Sequence, residues 1–265
     1  MLTERIGDLN LEHATPAGRA RPRSVLFVHG MWGGSWYLRN YLHAAAQAGW
    51  DAWALDLRGH GESPAPAGLG RATLADYVAD VRRCLEPLGS AVLVGHSMGG
   101  LLAQKAAEGG AVAAAVFITS APPRGINALQ WAVLSRMARY VPAMLANRAF
   151  TVSRAHADFL FLNGLGPGQR EWAFSRFGPE SGRAARELAC GSLDVDARAI
   201  RCRTLVVGAE HDRITPPALQ KRIARRYHAD YQEAVGHAHL LMLEDGWERP
   251  FKDVLAWMER AVDER

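Results

Sequence analysis

The chain has 265 residues, 49% of them hydrophobic and 22% charged, enough for one sizeable core and unlike a disordered or fibrous segment. Its net charge of +4 comes from scattered arginines, and short runs such as Arg19-Ala20-Arg21-Pro22-Arg23 read as a solvated face, which argues against nucleic acid as a partner. Three cysteines without metal-ligand spacing, no apolar leader in residues 1–10 and no apolar run of bilayer length predict a reduced, cytoplasmic chain with no stable membrane insertion.

Residues 4–13 alternate loosely and predict one edge strand, followed by a turn-rich connector at 15–22. The apolar run Ser24-Val25-Leu26-Phe27-Val28 has the pattern of a strand buried on both faces and ends in His29-Gly30-Met31-Trp32-Gly33-Gly34. A helix is expected from Trp36 to Ala48, closed by Gly49, then a strand from Trp50 to Leu55 that runs into Asp56-Leu57-Arg58-Gly59-His60-Gly61-Glu62-Ser63. Thr73 is placed to cap a helix from Leu74 to about Pro87. Ala91-Val92-Leu93-Val94 then reads as a buried strand leading into Gly95-His96-Ser97-Met98-Gly99-Gly100, with a helix-forming run behind it. Ala111 to Thr119 predicts a further strand, stopped by Pro122-Pro123.

From Ile126 to about Ala189 the pattern changes to helical segments rich in Trp, Phe and Met, with no strand candidate. Strands then return at Arg203–Gly208 and about Ala229–Val235, alternating with helices at about Pro217–Tyr227 and Trp247–Val262. Strands that alternate with helices specify an α/β fold with a mostly parallel central sheet flanked by helices. The expected division is a core of residues 1–121 and 200–265, interrupted by a helical cap at 122–199.

Gly95-His96-Ser97-Met98-Gly99 between a strand and a helix is the sequence of a nucleophile elbow. Its glycines remove side chains that would collide with the neighbouring strand and helix, and its serine sits where unpaired helix N–H groups favour negative charge. Taken alone the pentapeptide is a weak signal, so the rest of the chain must supply an acid and a base. Working groups of open α/β sheets lie at the carboxyl ends of the strands. Behind the 111–119 strand there is no carboxylate, whereas behind 203–208 stands Asp212, with Glu210 as competitor. In the chain order of this motif the base follows the acid, and Val235-Gly236-His237-Ala238-His239 offers two histidines. Metal binding by this His-x-His pair lacks further ligands at sensible spacing.

Five segments, each at a strand end and in the right order, make the chain resemble a serine hydrolase of the α/β-hydrolase superfamily from near Val25 to near Ala261. They are His29-Gly30-Met31-Trp32-Gly33, the Asp56–Ser63 segment, Gly95–Gly100, Gly208-Ala209-Glu210-His211-Asp212 and His239…Glu244. The resemblance implies a Ser97–His239–Asp212 triad, favouring His239 over His237 because it stands five residues before Glu244 in a Met-Leu-Glu ending. It also implies an oxyanion hole from the N–H groups of Met31 and Met98, with His29 and His60 bracing loops. Dehalogenases and epoxide hydrolases of the superfamily carry Asp at the elbow, so Ser97 disfavours both activities.

A cap after the 111–119 strand would hang over Ser97 and shape an apolar pocket, for which Trp32, His96 and Trp131 are the candidate lining residues. The expected activity is hydrolysis of a small to medium, mostly apolar carboxylic ester through an acyl-enzyme, with no metal or organic cofactor. The same triad used for C–C bond hydrolysis, perhydrolysis or hydroxynitrile cleavage is the alternative, and a ligand-binding receptor a more distant one. Oligomeric state is not legible in the sequence.

Overall fold

The computed structural model describes residues 2–126 and 131–263. Positions 127–130 of the expected cap lie outside the described residues. Eight strands form one sheet: β1 (Leu2–Ile6), β2 (Leu9–Ala14), β3 (Ser24–Val28), β4 (Asp51–Leu55), β5 (Val92–His96), β6 (Ala114–Ile118), β7 (Arg203–Ala209) and β8 (Asp230–Ala234). Their order across the sheet is β1-β2-β4-β3-β5-β6-β7-β8, antiparallel at β1–β2 and β2–β4 and parallel from β4 to β8. The chain thus has the α/β-hydrolase fold read from its sequence.

Alternation along the strands decides which helices cover which face. In β3, Val25 and Phe27 point into one apolar cluster and Leu26 and Val28 into another; in β5, Val92 and Val94 oppose Leu93 in the same way. The first face is covered by α1 (Arg39–Gln47) and by α10 (Glu248–Asp263), which contributes Phe251, Val254 and Met258. The second is covered by α2 (Leu74–Leu88), α3 (Met98–Ala106) and α9 (Pro217–Tyr227). Both faces are dry, as expected for parallel strands that read as unbroken apolar runs.

Two expectations need correction. Residues 4–13 are not one edge strand but most of a hairpin, in which Gly7 and Asp8 form the turn and Ile6 pairs with Leu9. Gly7 has a φ of +65°, which a two-residue hairpin favours and which a loose alternation count does not register. The second arm, β2, is buried along its whole length because it also pairs with β4, and His13 stacks on Trp53 at 3.7 Å. The helix expected from Trp36 begins as a single 3-10 turn, Ser35–Leu38, before α1. Elsewhere the boundaries agree within a few residues, and Thr73 forms a full capping box with Asp76 at the start of α2.

Among the described residues between β6 and β7 the elements are helical: α4 (Trp131–Met137), α5 (Val141–Leu145), α6 (Arg154–Leu160), α7 (Pro167–Phe174) and α8 (Gly182–Ala189), with short 3-10 turns. The strand-like pairings described there are two isolated bridges, Phe150 with Glu180 and Ile200 with Glu108. Tyr140, Met144, Phe150 and Phe161 from this insertion continue the first apolar cluster.

The tightest packing is at the turn from β5 to α3. A Cβ on Gly95 would lie 2.2 Å from the carbonyl oxygen of Gly99, and one on Gly99 would lie 2.3 Å from that of His29. Both obstacles are backbone atoms and cannot rotate away. Gly95→Ala is expected to destabilise the fold by about 3 kcal/mol, the upper range for overpacking a filled interior. Urea unfolding of the variant beside the parent checks this, and an unchanged midpoint would show that strand and helix can separate at this point.

Candidate active site

Ser97 follows the last residue of β5 with φ +56° and ψ −120°, a left-handed conformation rarely adopted by a residue with a side chain. The strained turn is held from both sides: Ser97 N–H donates to Ile118 O at 3.0 Å, and Ser97 O accepts from Ala121 N–H at 2.9 Å. Its side chain is left half-buried above the sheet.

Three of the candidate residues meet there. His239 Nε2 is 3.0 Å from Ser97 Oγ, and His239 Nδ1 is 2.8 Å from Asp212 Oδ2. Asp212 is buried just past β7, and its Oδ1 accepts the N–H groups of Ile214 and Thr215 at 2.8 and 2.9 Å. Burial pushes the Asp212 carboxyl up, but the charge and hydrogen bond of His239 and the donors of Thr215 together outweigh it and hold the group below the ordinary carboxylate range. The competitors lie elsewhere. Glu210 accepts from Gly236 N–H, and His237 Nδ1 lies 3.3 Å from Glu244 Oε2.

The loop after β3 closes on Ser97 from the other side. A Cβ on Gly30 would fall 2.8 Å from Ser97 Cβ, so only a glycine fits this approach. His29 is buried, accepts Leu57 N–H on Nε2 at 3.1 Å and donates from Nδ1 to Gly30 O at 2.7 Å. That pair of bonds requires the neutral ring, and burial, reinforced by the charge of His60, lowers the His29 pKa to about 4. Because the peptide is trans, fixing Gly30 O on His29 turns the Met31 N–H to the opposite side. Met98 is the first residue of α3, where a helix has no internal partner for its N–H.

His96 was expected to line a pocket; the structure buries it to 2% exposure and uses both ring nitrogens. Gly30 N–H donates to Tyr37 Oη, Tyr37 O–H donates to His96 Nδ1 at 2.9 Å, and His96 Nε2–H donates to His239 O at 2.9 Å. Burial first, then the proximity of His239, lowers the His96 pKa to about 3, so the ring is a neutral brace. Of the other two pocket candidates, Trp131 is 82% exposed at the start of α4. Trp32 is buried, stacked on Phe161 at 5.8 Å and edge-on to Phe150.

Glu180, in the insertion, escaped the sequence reading, because a single carboxylate between turn residues carries no pattern that separates it from a surface charge. It is fully buried. Its Oε1 accepts from Tyr77 O–H and Ser181 N–H, both at 2.7 Å, and its Oε2 from His60 Nε2–H at 3.1 Å and Trp32 N–H at 3.4 Å. Trp32 O in turn accepts from Gly178 N–H at 2.9 Å. The residue after Met31 is therefore pinned at both backbone groups by the insertion. Burial works against charge on both His60 and Glu180, but each stabilises the other's ion: the His60 pKa is raised and that of Glu180 lowered.

A family model described as the alpha/beta hydrolase family matches residues 25–257, and the chain belongs to that family. It is similar to a protein named "Epoxide hydrolase" from Caballeronia sordidicola, 42% identical over 97 residues, which are 36% of this chain and 29% of that protein. The chain spans about three-tenths of the length of the epoxide hydrolases it matches. Solved structures that share its fold include two hydrolases. One is a thermophilic esterase from Thermogutta terrifontis, with TM-score 0.70, 22% identity and coverage of 96% of this chain and 93% of that one. The other is a monoacylglycerol lipase from Paleococcus ferrophilus, with TM-score 0.73, 18% identity and coverage of 95% and 98%.

The His60–Glu180 pair makes a stability prediction with a defined pH window. The lowered Glu180 pKa contributes stability that is present above the unfolded carboxylate value and lost as pH falls through the folded one. The raised His60 pKa contributes stability that is present below the unfolded histidine value and lost as pH rises through the folded one. Glu180→Ala should therefore cost about 3–5 kcal/mol, the range for stripping one partner from a buried pair. The difference from the parent should be widest between roughly pH 4.3 and 6.5 and narrow on either side. Urea titrations of both proteins across this range measure it.

Proposed function

We propose that this member of the alpha/beta hydrolase family is a serine hydrolase that cleaves a small to medium, mostly apolar carboxylic ester. The observation that carries the reading is the contact of His239 Nε2 with Ser97 Oγ at 3.0 Å, backed by Asp212 at 2.8 Å on the other ring nitrogen. His239 takes the Ser97 proton as Oγ attacks the ester carbonyl, and Asp212 keeps the ring in the tautomer that accepts it. The N–H groups of Met31 and Met98 receive the developing oxyanion, each worth about 3–4 kcal/mol to the transition state. His239 returns its proton to the leaving alcohol, then activates water to hydrolyse the acyl-enzyme.

Chemistry favours an ester over the epoxide named for the relatives. A carboxylate that opens an epoxide forms an ester, which water can cleave. Ser97 opening the same ring would form an ether, which a histidine-activated water does not cleave, and turnover would stop after one event. The apolar preference is supported by Trp32 beside Met31, packed against Phe161 and Phe150 of the insertion. In this reading residues 122–199 are a cap on a core of 1–121 and 200–265, and its aromatic residues keep water from the acyl-enzyme.

A fluorophosphonate probe read by intact mass, run beside hydrolysis of p-nitrophenyl esters of rising chain length, tests the assignment. The parent should gain one adduct and Ser97→Ala none. Asp212→Asn should slow turnover by about 10⁴-fold, as expected when the base histidine loses its orienting acid, and His239→Ala should be at least as damaging. His237→Ala should keep both labelling and turnover. Ester hydrolysis that survives Ser97→Ala would sink the proposal.

A further inference from the structure

The helices α4 and α5, joined by the short turn Ala138–Tyr140, each turn apolar side chains to solvent. Trp131 is 82% exposed, Leu145 65%, Val141 43% and Leu134 40%, and the neighbouring Pro142 and Ala146 are exposed as well. Spacings of three and four put Trp131 and Leu134 on one face of α4, and Val141 and Leu145 on one face of α5. Met144 of α5 and Tyr140, in the 3-10 turn that joins the two helices, are buried in the core. A segment that packs well on one side and leaves tryptophan and leucine in water on the other has an unmet surface, not a frayed one.

The charge along this stretch of sequence has one sign. Between Glu108 and Asp158 the sequence has no carboxylate, while Arg124, Arg136, Arg139, Arg148 and Arg154 all fall within it. Arg154 is answered by Asp158 and Glu171. Arg139 and Arg148 are exposed; Arg139 lies over the Tyr140 ring at 5.7 Å in the turn just before α5, and Arg148 stands three residues past its end. His156 reports the field from within the insertion: burial lowers its pKa, and the charges of Arg139 and Arg136 lower it further. The face also borders the site, because the Phe159 ring is packed between Arg136 of α4 at 3.3 Å and Arg213, the residue after Asp212, at 4.7 Å.

We propose that the outer face of α4 and α5 docks on the surface of a bilayer containing anionic phospholipid, with Trp131, Leu134, Val141 and Leu145 among the acyl chains and Arg139 and Arg148 on the headgroups. An exposed apolar stripe with arginines at its rim is the pattern of a helix lying in an interface. Each arginine near an anionic leaflet strengthens the attachment severalfold, and salt screens that gain. A second copy of the chain fits less well, since two such faces brought together would set one arginine rim against the other. Docking here does not depend on the ester-hydrolase reading and has its own readout.

Flotation of the protein with vesicles tests the proposal, using phosphatidylcholine alone and phosphatidylcholine mixed with phosphatidylglycerol, at low and high salt. The parent should float with the mixed vesicles at low salt and much less with the neutral ones. Leu134→Ser/Val141→Ser/Leu145→Ser and, separately, Arg139→Glu/Arg148→Glu should each weaken partition about tenfold or more. Both variants change exposed side chains, and their circular dichroism should match the parent. A parent that stays unbound, or a triple serine variant that floats as well as the parent, overturns the proposal. It is equally overturned by a concentration-dependent dimer in sedimentation that the triple variant abolishes without any flotation, which would assign the face to a second copy.

Discussion

The geometry around Ser97 depends on one buried relay, Gly30 N–H to Tyr37, Tyr37 O–H to His96, and His96 N–H to His239 O. Each member has a single proton to give in the direction of the chain, so the relay has a fixed polarity. A proton added to His96 would leave the Tyr37 hydroxyl hydrogen without an acceptor in a dry interior, a loss comparable to a whole buried hydrogen bond. Burial thus does more than hold His96 neutral. It ties the loop after β3, the end of β5 and the loop after β8 into one set of positions, and those three segments carry Gly30, Ser97 and His239.

The insertion extends the same constraint. Glu180 brings four donors to one carboxylate, and with Gly178 it fixes both backbone groups of Trp32, whose φ of +59° no ordinary loop would favour. Buried ion pairs contribute little net stability because dehydration offsets most of their attraction, but a wrong arrangement leaves a charge stranded. The His60–Glu180 pair therefore acts as a register mark. It gives the helices between β6 and β7 one seat on the core and transmits that seat to the peptide next to Met31.

The fold was legible because its signals are local: apolar strands of five to seven residues, Thr73 three residues before Asp76, proline or glycine at the breaks. Ser97, Asp212 and His239 were legible as candidates because each stands just past a strand, where the sheet topology converges. His237 and His239 could not be separated by residue type, since the difference lies in which ring faces Ser97 and which faces Glu244. Tyr37 and Glu180 were invisible for a related reason. Their partners lie 59 and 120 residues away, at His96 and His60, and nothing in the flanking sequence records a contact of that span. The hairpin at Gly7 was missed because alternation persists through a two-residue turn, so one strand and two look alike.

Four histidines crowd this region, with ring centres 5.1 Å apart for His29 and His60 and 4.9 Å for His96 and His239. Were His29, His60 and His96 all charged, like charges would face one another across a dry interior. The surroundings prevent this in two different ways. His29 and His96 are held neutral by burial and by hydrogen bonds that need an unprotonated nitrogen. His60 favours the cation, but its charge is matched at 3.1 Å by Glu180. On the far side of His239 stands Asp212, its carboxyl held below the ordinary range by His239 and Thr215 and its Oδ1 accepting the N–H groups of Ile214 and Thr215. The relay that orients the site and the pair that seats the insertion thus also keep unmatched positive charge away from the ring that stands between Ser97 and Asp212.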